Sequence, residues 1–420
     1  FNEFYNFTLQ GDDCGCMYTG RDFSMQGHLV RHNWFHHAGQ SGRGDWGASG
    51  VYMDDCGGGT EIVGNIFSFV DKAVLAGGGL NIRIRNNLFV DCRPAVWFDE
   101  RGAAAGSDGA GSMVHETMRE WFYHVDAHRE VYNKYPFMDY VHGALEEHTG
   151  VLAKGGVVKS NLVVDCGDRW LSTHWATFPD YFDCADNAIA EVPGTVDPAF
   201  GIFSVLDDVS LPAEWEPIPV EEIGLLRDEY RPRFEDVRTK IEVVRPVGGE
   251  GEPGAARLVI RNTGDIPVRG EERIELKTRR HGPGEGCIVV PYDVPPGETR
   301  SYEFPVRVPA NELSTLKTLN LCSRGEEIRP ARVRMPVAHG LAVDLSFLRP
   351  IVVGREEHPG MVELKVHNRA DKRTENTIKL EAETSAGIIL PGGRSLALGL
   401  EPGEERTERC PLALDPDYEK

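Results

Sequence analysis

The sequence lacks several features that would place it in common protein classes. It has no apolar run long enough to cross a bilayer and no Cys-x-x-Cys pair. The nine cysteines therefore do not indicate a zinc ribbon or a thioredoxin-type redox site, and nothing in them demands an oxidising compartment. The first residue is Phe1, and no leader-peptide pattern follows it.

Positive charge is also scarce. The 420 residues include 45 Lys and Arg against 66 Asp and Glu, for a net charge of −21. Residues 1–111 contain a single lysine, Lys72. This balance argues against nucleic acid or an anionic membrane as a partner, and it suits neutral or cationic ligands and divalent cations. With 40% hydrophobic residues the chain can build large cores, and its length allows two to four domains.

One short phrase recurs through the first part of the chain. It reads Asn-x-Phe at Asn2, Asn33, Asn65 and Asn87, and Asn-Leu-Val at Asn161. The asparagines are 31, 32, 22 and 74 residues apart, as in a coil of about 22 residues with insertions. Such spacing predicts a parallel β-helix, in which each strand pairs with its copy in the next rung and equivalent residues stack. Five residues after two of the asparagines come Cys92 and Cys166, which we interpret as buried thiols.

A second repeated phrase lies between the asparagines. Its copies are Met17–Gly20, Val51–Asp54, Val74–Gly77 and Val96–Asp99. In this register Asp54 stacks between Gly20 and Gly77, with Asp99 one rung further on. We expect the glycines to leave a groove that a ligand can approach, with Asp54 at its lip.

Two segments depart from the repeat. Residues 112–150 are aromatic and helix-prone, which predicts a mostly helical excursion from one turn of the coil. Residues 192–232 are rich in proline and predict a tail that closes the coil. The predicted first domain, the C-terminal part of a right-handed parallel β-helix, therefore covers residues 1–232.

The rest of the chain predicts two tandem Ig-like β-sandwiches. RLVIRNTGD matches ELKVHNRAD, and VPPGETRSYEFPV matches LEPGEERTERCPL, both with an offset of 106 residues. Dense strands and Asn/Gly turns are typical of such sandwiches, here over 239–337 and 338–420. Adding 106 to the last strands of the first copy passes residue 420, so we expect the second copy to be truncated and the chain to be a fragment.

The motifs of the first domain resemble a known family. GDDCGCMYTGRD, GHLVRHNWFHHAG, GVYMDDCGGGTEIVGNIF, NNLFVDC and AVWFDERG are similar to right-handed parallel β-helix proteins of the glycoside hydrolase family 141 kind, within the pectate-lyase-like superfamily. The resemblance covers about residues 1–232. It implies a fucosidase or xylanase acting on plant cell-wall polysaccharides or oligosaccharides, outside the cell or in the periplasm. It also implies that the catalytic carboxylates are Asp13 and Asp54.

A pair of aspartates is also what the chemistry requires, because glycoside hydrolysis uses one carboxyl as an acid and another as nucleophile or base. Carboxyls on adjacent rungs would be about 5 Å apart, as in retaining enzymes, and those two rungs apart about 10 Å, as in inverting ones. The sequence leaves both outcomes open, as well as the order of roles. The residues predicted to bind substrate around this pair are Tyr18, Arg21, Asp22, His36, His37, Asp55, Asp99 and Arg101.

Two other functions fit the same fold. A polysaccharide lyase or epimerase would use a basic residue against a uronate, with Ca²⁺ held by Asp12, Asp13, Asp54 and Asp55. The scarcity of lysine counts mildly against it. A non-catalytic glycan-binding or surface protein would use the coil as a spacer. For the hydrolase we expect no metal and no cofactor.

Overall fold

The structure is a computed structural model. It describes residues 1–8, 13–38, 47–103, 114–120, 130–167, 170–173, 182–190, 196–197, 200, 202–203, 210–226, 228–230, 236–248, 252–277, 287–308, 318–323, 325, 330–338, 341–349, 360–368, 374–380, 388–389, 394–401 and 403–414. The described chain is predominantly β and divides into two compact units. The first comprises Phe1–Glu242, Arg257–Phe304 and Asn320–Val333, and the second comprises Val243–Ala256, Pro305–Leu319 and Arg334–Lys420.

Three parallel sheets dominate the first unit. The first sheet contains, in spatial order, β1 (Glu3–Tyr5), β4 (Trp34–His36), β7 (Ile66–Ser68), β10 (Leu88–Val90), β13 (Leu162–Val164) and β16 (Ala188–Ala190). The second contains β2 (Cys14–Gly20), β5 (Ala48–Asp54), β8 (Lys72–Gly77), β11 (Val96–Asp99) and β14 (Leu171–Thr173). The third contains β3 (His28–Arg31), β6 (Thr60–Val63), β9 (Arg83–Arg85), β12 (Gly156–Lys159) and β15 (Phe182–Ala185).

The chain visits these sheets in rotation, so that every third strand lies beside its predecessor in the same sheet. We call one set of three consecutive strands a rung. The predicted register of the second sheet is confirmed: Gly20 pairs with Asp54, and Gly77 pairs with Asp99. Because side chains alternate between the faces of a strand, this register also decides which residues share the outer face of the sheet.

The three sheets share one apolar core. Residues from all three, such as Val51, Ile62 and Phe67, pack into a single buried cluster. The predicted aromatic stack lies within it: the rings of Phe35 and Phe67 are 4.9 Å apart, and those of Phe67 and Phe89 are 5.2 Å apart. Equivalent residues one rung apart thus contact each other, as the repeat predicts.

The asparagines that begin the first-sheet strands form a continuous ladder. From Asn33 onward, each Oδ1 accepts bonds from the backbone N–H and the Nδ2 of the asparagine one rung earlier, at 2.9 to 3.1 Å. The ladder runs from Asn2 to Asn187, one rung beyond the five found in the sequence. The repeated phrase does not include Asn187, because Ala188 and Ile189 follow it in place of an aromatic residue. These bonds satisfy buried polar groups at each bend.

The excursion is mostly helical where it is described. Residues 114–120 are helical, and α1 spans Met138–Glu147. Met138, Val141 and Leu145 pack with Phe23 and Cys56, which lie in turns after second-sheet strands. The excursion therefore contacts the end of the second sheet at which Asp54 lies.

The proline-rich tail is described in parts. It contains the antiparallel pair β17 (Val196–Asp197) and β18 (Ile202–Phe203), and a 3₁₀ turn at Val220–Glu222. Ile223 packs with Trp34, Ile66 and Leu88, on the face of the first sheet opposite the shared core. The described part of the tail therefore covers the outside of the first sheet.

The remaining strands are mainly antiparallel. They are β19 (Val237–Arg245), β20 (Val247–Gly248), β21 (Gly254–Asn262), β22 (Val268–Lys277), β23 (Cys287–Val294), β24 (Thr299–Val306), β25 (Thr318–Ser323), β26 (Arg332–Ala338), β27 (Leu341–Arg349), β28 (Gly360–Asn368), β29 (Thr374–Leu380), β30 (Ile388–Ile389), β31 (Arg394–Leu400) and β32 (Glu405–Leu414). Antiparallel pairing joins β22 to β23 and β25, β28 to β27 and β32, and β29 to β31.

The 106-residue repeat is visible in the hydrogen bonds. Asn262 Nδ2 donates to Val294 O, and Asn368 Nδ2 donates to Leu400 O, its equivalent 106 residues later. In both copies the backbone carbonyl oxygen of the asparagine accepts a hydrogen bond from the N–H of the turn glycine, Gly297 or Gly403. The two copies therefore build the same turn with the same bonds. Among the helices that the structure describes, none is long and apolar enough to cross a membrane.

Candidate functional site

The site forms where β5 of the second sheet ends. Asp54 is the last residue of β5, and Asp55 and Cys56 follow with φ of 36° and 68°. The Gly57 N–H donates to Asp54 O at 2.9 Å, which closes a tight turn. Left-handed backbone at two successive residues that are not glycine is uncommon and marks a turn that its surroundings hold in place. This turn presents the Asp54 and Asp55 side chains together.

Arg101 binds three carboxylates at once. It lies in the 3₁₀ turn Arg101–Ala103 after β11, and its Nε and Nη2 donate to Asp99 at 2.8 and 2.6 Å. Its Nη1 donates to Asp54 and, at 3.2 Å, to Asp55. Burial alone lowers the pKa of Arg101, but the hydrogen bonds and charge of Asp99 and the charge of Asp54 outweigh it and raise that pKa. The guanidinium is a permanent cation that holds the three carboxylates together.

The groove expected above Gly77 is filled by this side chain. A Cβ at Gly77 would lie 2.9 Å from Arg101 Nε and 3.0 Å from its Cζ. The glycine therefore leaves room for an internal cation, which corrects the expectation of an open groove at that rung. Asp54 retains 13% exposure of its side chain, and Arg101 retains 21%.

Tyr18 borders Asp54 on the solvent side. Its hydroxyl donates to Asp54 Oδ2 at 2.7 Å, and the residue is 55% exposed. Burial of the hydroxyl, followed by its bond to Asp54, raises the pKa of Tyr18 to about 12. The phenol therefore stays protonated at neutral pH and offers an exposed ring beside the carboxylate.

Asp13 reaches the same face through a second tyrosine. The buried Tyr52 donates its hydroxyl to Asp13 Oδ1 at 2.8 Å, and burial raises the pKa of Tyr52. The rings of Tyr18 and Tyr52 meet edge to face at 5.3 Å. Asp13 itself is exposed and directly precedes β2. The two candidate catalytic carboxylates are thus linked through a pair of tyrosines on neighbouring rungs.

The neighbouring Arg21 and Asp22 have different environments. Arg21 is exposed and donates from Nε to Asp55 Oδ2 at 3.2 Å, so it joins the group. Asp22 Oδ1 accepts from the backbone N–H and the hydroxyl of Ser24 at 2.7 and 2.5 Å. Asp22 therefore stabilises its own turn.

His36 and His37 lie on the first sheet, in a separate buried cluster. His36 Nδ1 is 2.7 Å from His37 Nδ1, and His36 Nε2 is 3.1 Å from Glu3 Oε1. Glu3 also contacts Arg238 at 3.5 Å. Burial, followed by the nearby charges of His36 and Arg332, lowers the pKa of His37 well below its ordinary value. The structure therefore places this pair apart from Asp13 and Asp54.

One residue near the site was missed. His115, from the helical excursion, lies with Nε2 3.1 Å from the carbonyl oxygen of Gly102, and its ring meets Phe23 edge-on at 5.3 Å. Burial lowers the pKa of His115, so the neutral ring donates this bond. The contact supports the turn that carries Arg101. No signal in the sequence could have found it, because the excursion lies outside the repeat.

Metal coordination has no support among the residues that the structure describes: no group of three or more His, Cys, Asp or Glu side chains there is arranged to hold a metal ion. Asp12, named for the calcium alternative, lies outside the described residues.

Comparison with known proteins adds little. No protein-family model and no curated protein matches this chain. Among solved structures it is similar to red sea bream transglutaminase, with a TM-score of 0.25 and 12% sequence identity, over 44% of this chain and 28% of that one. A similarity this low carries no argument about fold or function.

Proposed function

We propose that the protein is a glycoside hydrolase built on a right-handed parallel β-helix. Residues 1–232 form the coil, and 239–337 and 338–420 are accessory Ig-like sandwiches. The rotation of the chain through three parallel sheets and the stacked asparagine and phenylalanine ladders support this architecture. The substrate is a plant cell-wall type polysaccharide or oligosaccharide, of the fucosylated or xylan kind, which places the protein outside the cell or in the periplasm.

The observation that carries the proposal is the linked pair of carboxylates. Asp13 directly precedes β2, Asp54 ends the neighbouring strand β5 of the same sheet, and the two are joined through Tyr52 and Tyr18. Asp54 accepts bonds from Arg101, Tyr18 and the Asp55 N–H, and Asp13 accepts one from Tyr52. One carboxyl of this pair serves as the acid and the other as nucleophile or base.

The neighbouring side chains complete a sugar site. The exposed ring of Tyr18 offers an apolar face for a pyranose, and the exposed guanidinium of Arg21 offers donors for hydroxyl groups. Arg101, held by Asp99, keeps Asp54 oriented.

The test is hydrolysis of fucosylated and xylan-type oligosaccharides by the wild type and by Asp13→Asn and Asp54→Asn. We expect each variant to lose kcat by about 10²–10⁴-fold, the range for a lost acid or base. Asp183→Asn is the matched control: this carboxylate is 58% exposed on β15 and pairs with Lys159, so activity is unchanged. Full activity in both site variants would contradict the assignment.

The same incubations distinguish the two alternatives. A lyase would give unsaturated products that absorb in the ultraviolet, and a chelator would abolish that signal if calcium is used. A binding module would retain the oligosaccharides without cleaving them. Arg101→Ala sharpens the assignment, because loss of kcat with a small change in KM indicates that Arg101 acts through Asp54.

A further inference from the structure

Two buried cysteines occupy the same place on consecutive rungs. Cys92 follows β10 and Cys166 follows β13, each five residues after the asparagine that begins its rung. Both side chains lie in the core shared by the three sheets, with 0% and 4% exposure. The equivalent positions on earlier rungs hold Phe7, Ala38 and Val70, so thiols meet only at this step of the described stack.

The backbone brings the two residues within bridging distance. Val90 pairs with Val164, and the Asp91 N–H donates to Val164 O at 3.0 Å, so the strands are in parallel register up to the cysteines. Adjacent strands lie about 4.8 Å apart, inside the range of about 4.4–6.8 Å between the Cα atoms of a disulfide.

The sulfur atoms also lie on the same side. The Cys92 N–H donates to Cys166 Sγ at 3.4 Å, which places that sulfur against the first cysteine's own backbone. The thiols otherwise bond backbone carbonyls: Cys92 bonds that of Val90 at 3.4 Å and that of Phe67 at 3.6 Å, and Cys166 bonds that of Val164 at 3.4 Å. None of these bonds ties the thiols to a catalytic or metal-binding role.

We propose that Cys92 and Cys166 are a disulfide-forming pair that joins two rungs of the coil. The bridge would close a loop that contains the entire helical excursion, because 74 residues separate the two cysteines. It would thereby hold the base of the segment that supports the turn at Arg101.

The chemistry needs a two-electron oxidant, and we name a disulfide of the glutathione class. The two thiols lose their protons, one Sγ–Sγ bond forms, and the electron pair reduces one glutathione disulfide to two glutathione thiols. Burial, followed by the bond between the two cysteines, raises the pKa of Cys92 in the folded chain. Bridging therefore proceeds while the rungs assemble, before the core excludes the oxidant.

The experiment is a peptide map of the full chain, refolded from the reduced, denatured state in a glutathione redox buffer. After alkylation in denaturant, trypsin releases Cys92 in residues 86–101 and Cys166 in residues 160–169, each as the peptide's single cysteine. We expect these two peptides to be joined and to separate on reduction. Recovery of both as alkylated, unlinked peptides would overturn the proposal.

Thermal melting gives a second measurement on the same protein. With the bridge formed, reduction should lower Tm by about 5–10 °C, because the open chain regains the entropy of a long loop. Cys92→Ala should remove this dependence on reductant, and the exposed Cys14→Ala should leave it intact. If Cys92→Ala does not fold, the wild-type peptide map alone decides. The proposal does not depend on hydrolase activity, so either one can fail without the other.

Discussion

The parallel stack and the antiparallel strands after residue 236 use repetition in opposite ways. In the stack, residues that match in sequence contact each other in space: Asn33 bonds Asn65, and Phe35 stacks on Phe67. In the antiparallel region, Asn262 matches a residue 106 positions later, and each copy makes its bonds within its own turn. A short repeat therefore predicts contacts between copies, whereas a long one predicts that a local structure is built twice.

This difference has an energetic consequence. In the stack, each ladder residue is shared by two neighbouring rungs, so its loss leaves unpaired groups on both sides. In the antiparallel region the same residue type serves one turn. Substitutions matched in chemistry between the two regions should therefore differ in cost.

The largest difference is expected between Asn65→Ala and Asn262→Ala. The Asn65 side chain makes five bonds: it accepts two from Asn33 and donates to Asn87, Val30 and Val63. Its removal leaves buried groups unsatisfied on three rungs, and we expect a loss of about 3–5 kcal/mol in the free energy of unfolding.

Asn262 is equally buried, but its side chain makes three such bonds, to Ile266, Val294 and Gly264. We expect a loss of about 2–3 kcal/mol, measured by urea denaturation alongside Asn65→Ala. Equal losses would show that sharing between rungs adds nothing.

A second, smaller difference concerns two glycines. A Cβ at Gly20 of β2 would lie 2.4 Å from the carbonyl oxygen of Asp54 on the next rung. Since the backbone of Asp54 cannot move away without disturbing the sheet, Gly20→Ala should lower the free energy of unfolding by about 2–4 kcal/mol and shift the turn that presents Asp54. Gly297 has φ of +75° with open space around it, so Gly297→Ala should cost only about 1 kcal/mol, the penalty of a left-handed residue. Urea denaturation of both variants tests this difference. A small loss of unfolding free energy in Gly20→Ala would mean that the rungs are not closely stacked there.

Several contacts of the parallel stack could be predicted from the sequence. The pairing of Gly20 with Asp54, the aromatic stack and the burial of Cys92 all follow from a repeat that can be read directly. Parallel stacking turns sequence register into spatial register, so these contacts could be predicted residue by residue.

The candidate site was predictable in its members and less so in its contacts. The register places Asp54 and Asp99 on one face, but it does not show that Arg101 reaches back from a 3₁₀ turn to fill the space above Gly77. The contact of His115 with that turn depends on a non-repeating excursion. The side-chain reach of one residue and the packing of an insertion have no periodic signal.

The surroundings of His36 and His37 also could not be predicted from the repeat. They were predicted to bind substrate with Asp13 and Asp54, and the structure places them in a cluster with Glu3 and Arg238. Which neighbour covers a given face depends on segments far away in sequence.

The smallest expected effect is a pH dependence at this cluster. The pKa of His37 is lowered in the folded chain, so the folded state binds fewer protons than the unfolded state below the unfolded value of 6.5. The contribution of the neutral His37 ring to the free energy of unfolding is therefore fully present above pH 6.5 and is lost as the pH falls below that value. We expect His37→Gln to reduce the loss of unfolding free energy between pH 7.5 and 5.5 by about 1 kcal/mol. His367→Gln, at a partly exposed site on β28, is the matched control, in which the buried pair is kept intact. Urea denaturation at the two pH values measures the free energy of unfolding of both variants. An unaltered pH dependence in His37→Gln would contradict the prediction, because it would show that burial does not disfavour the protonated His37 ring.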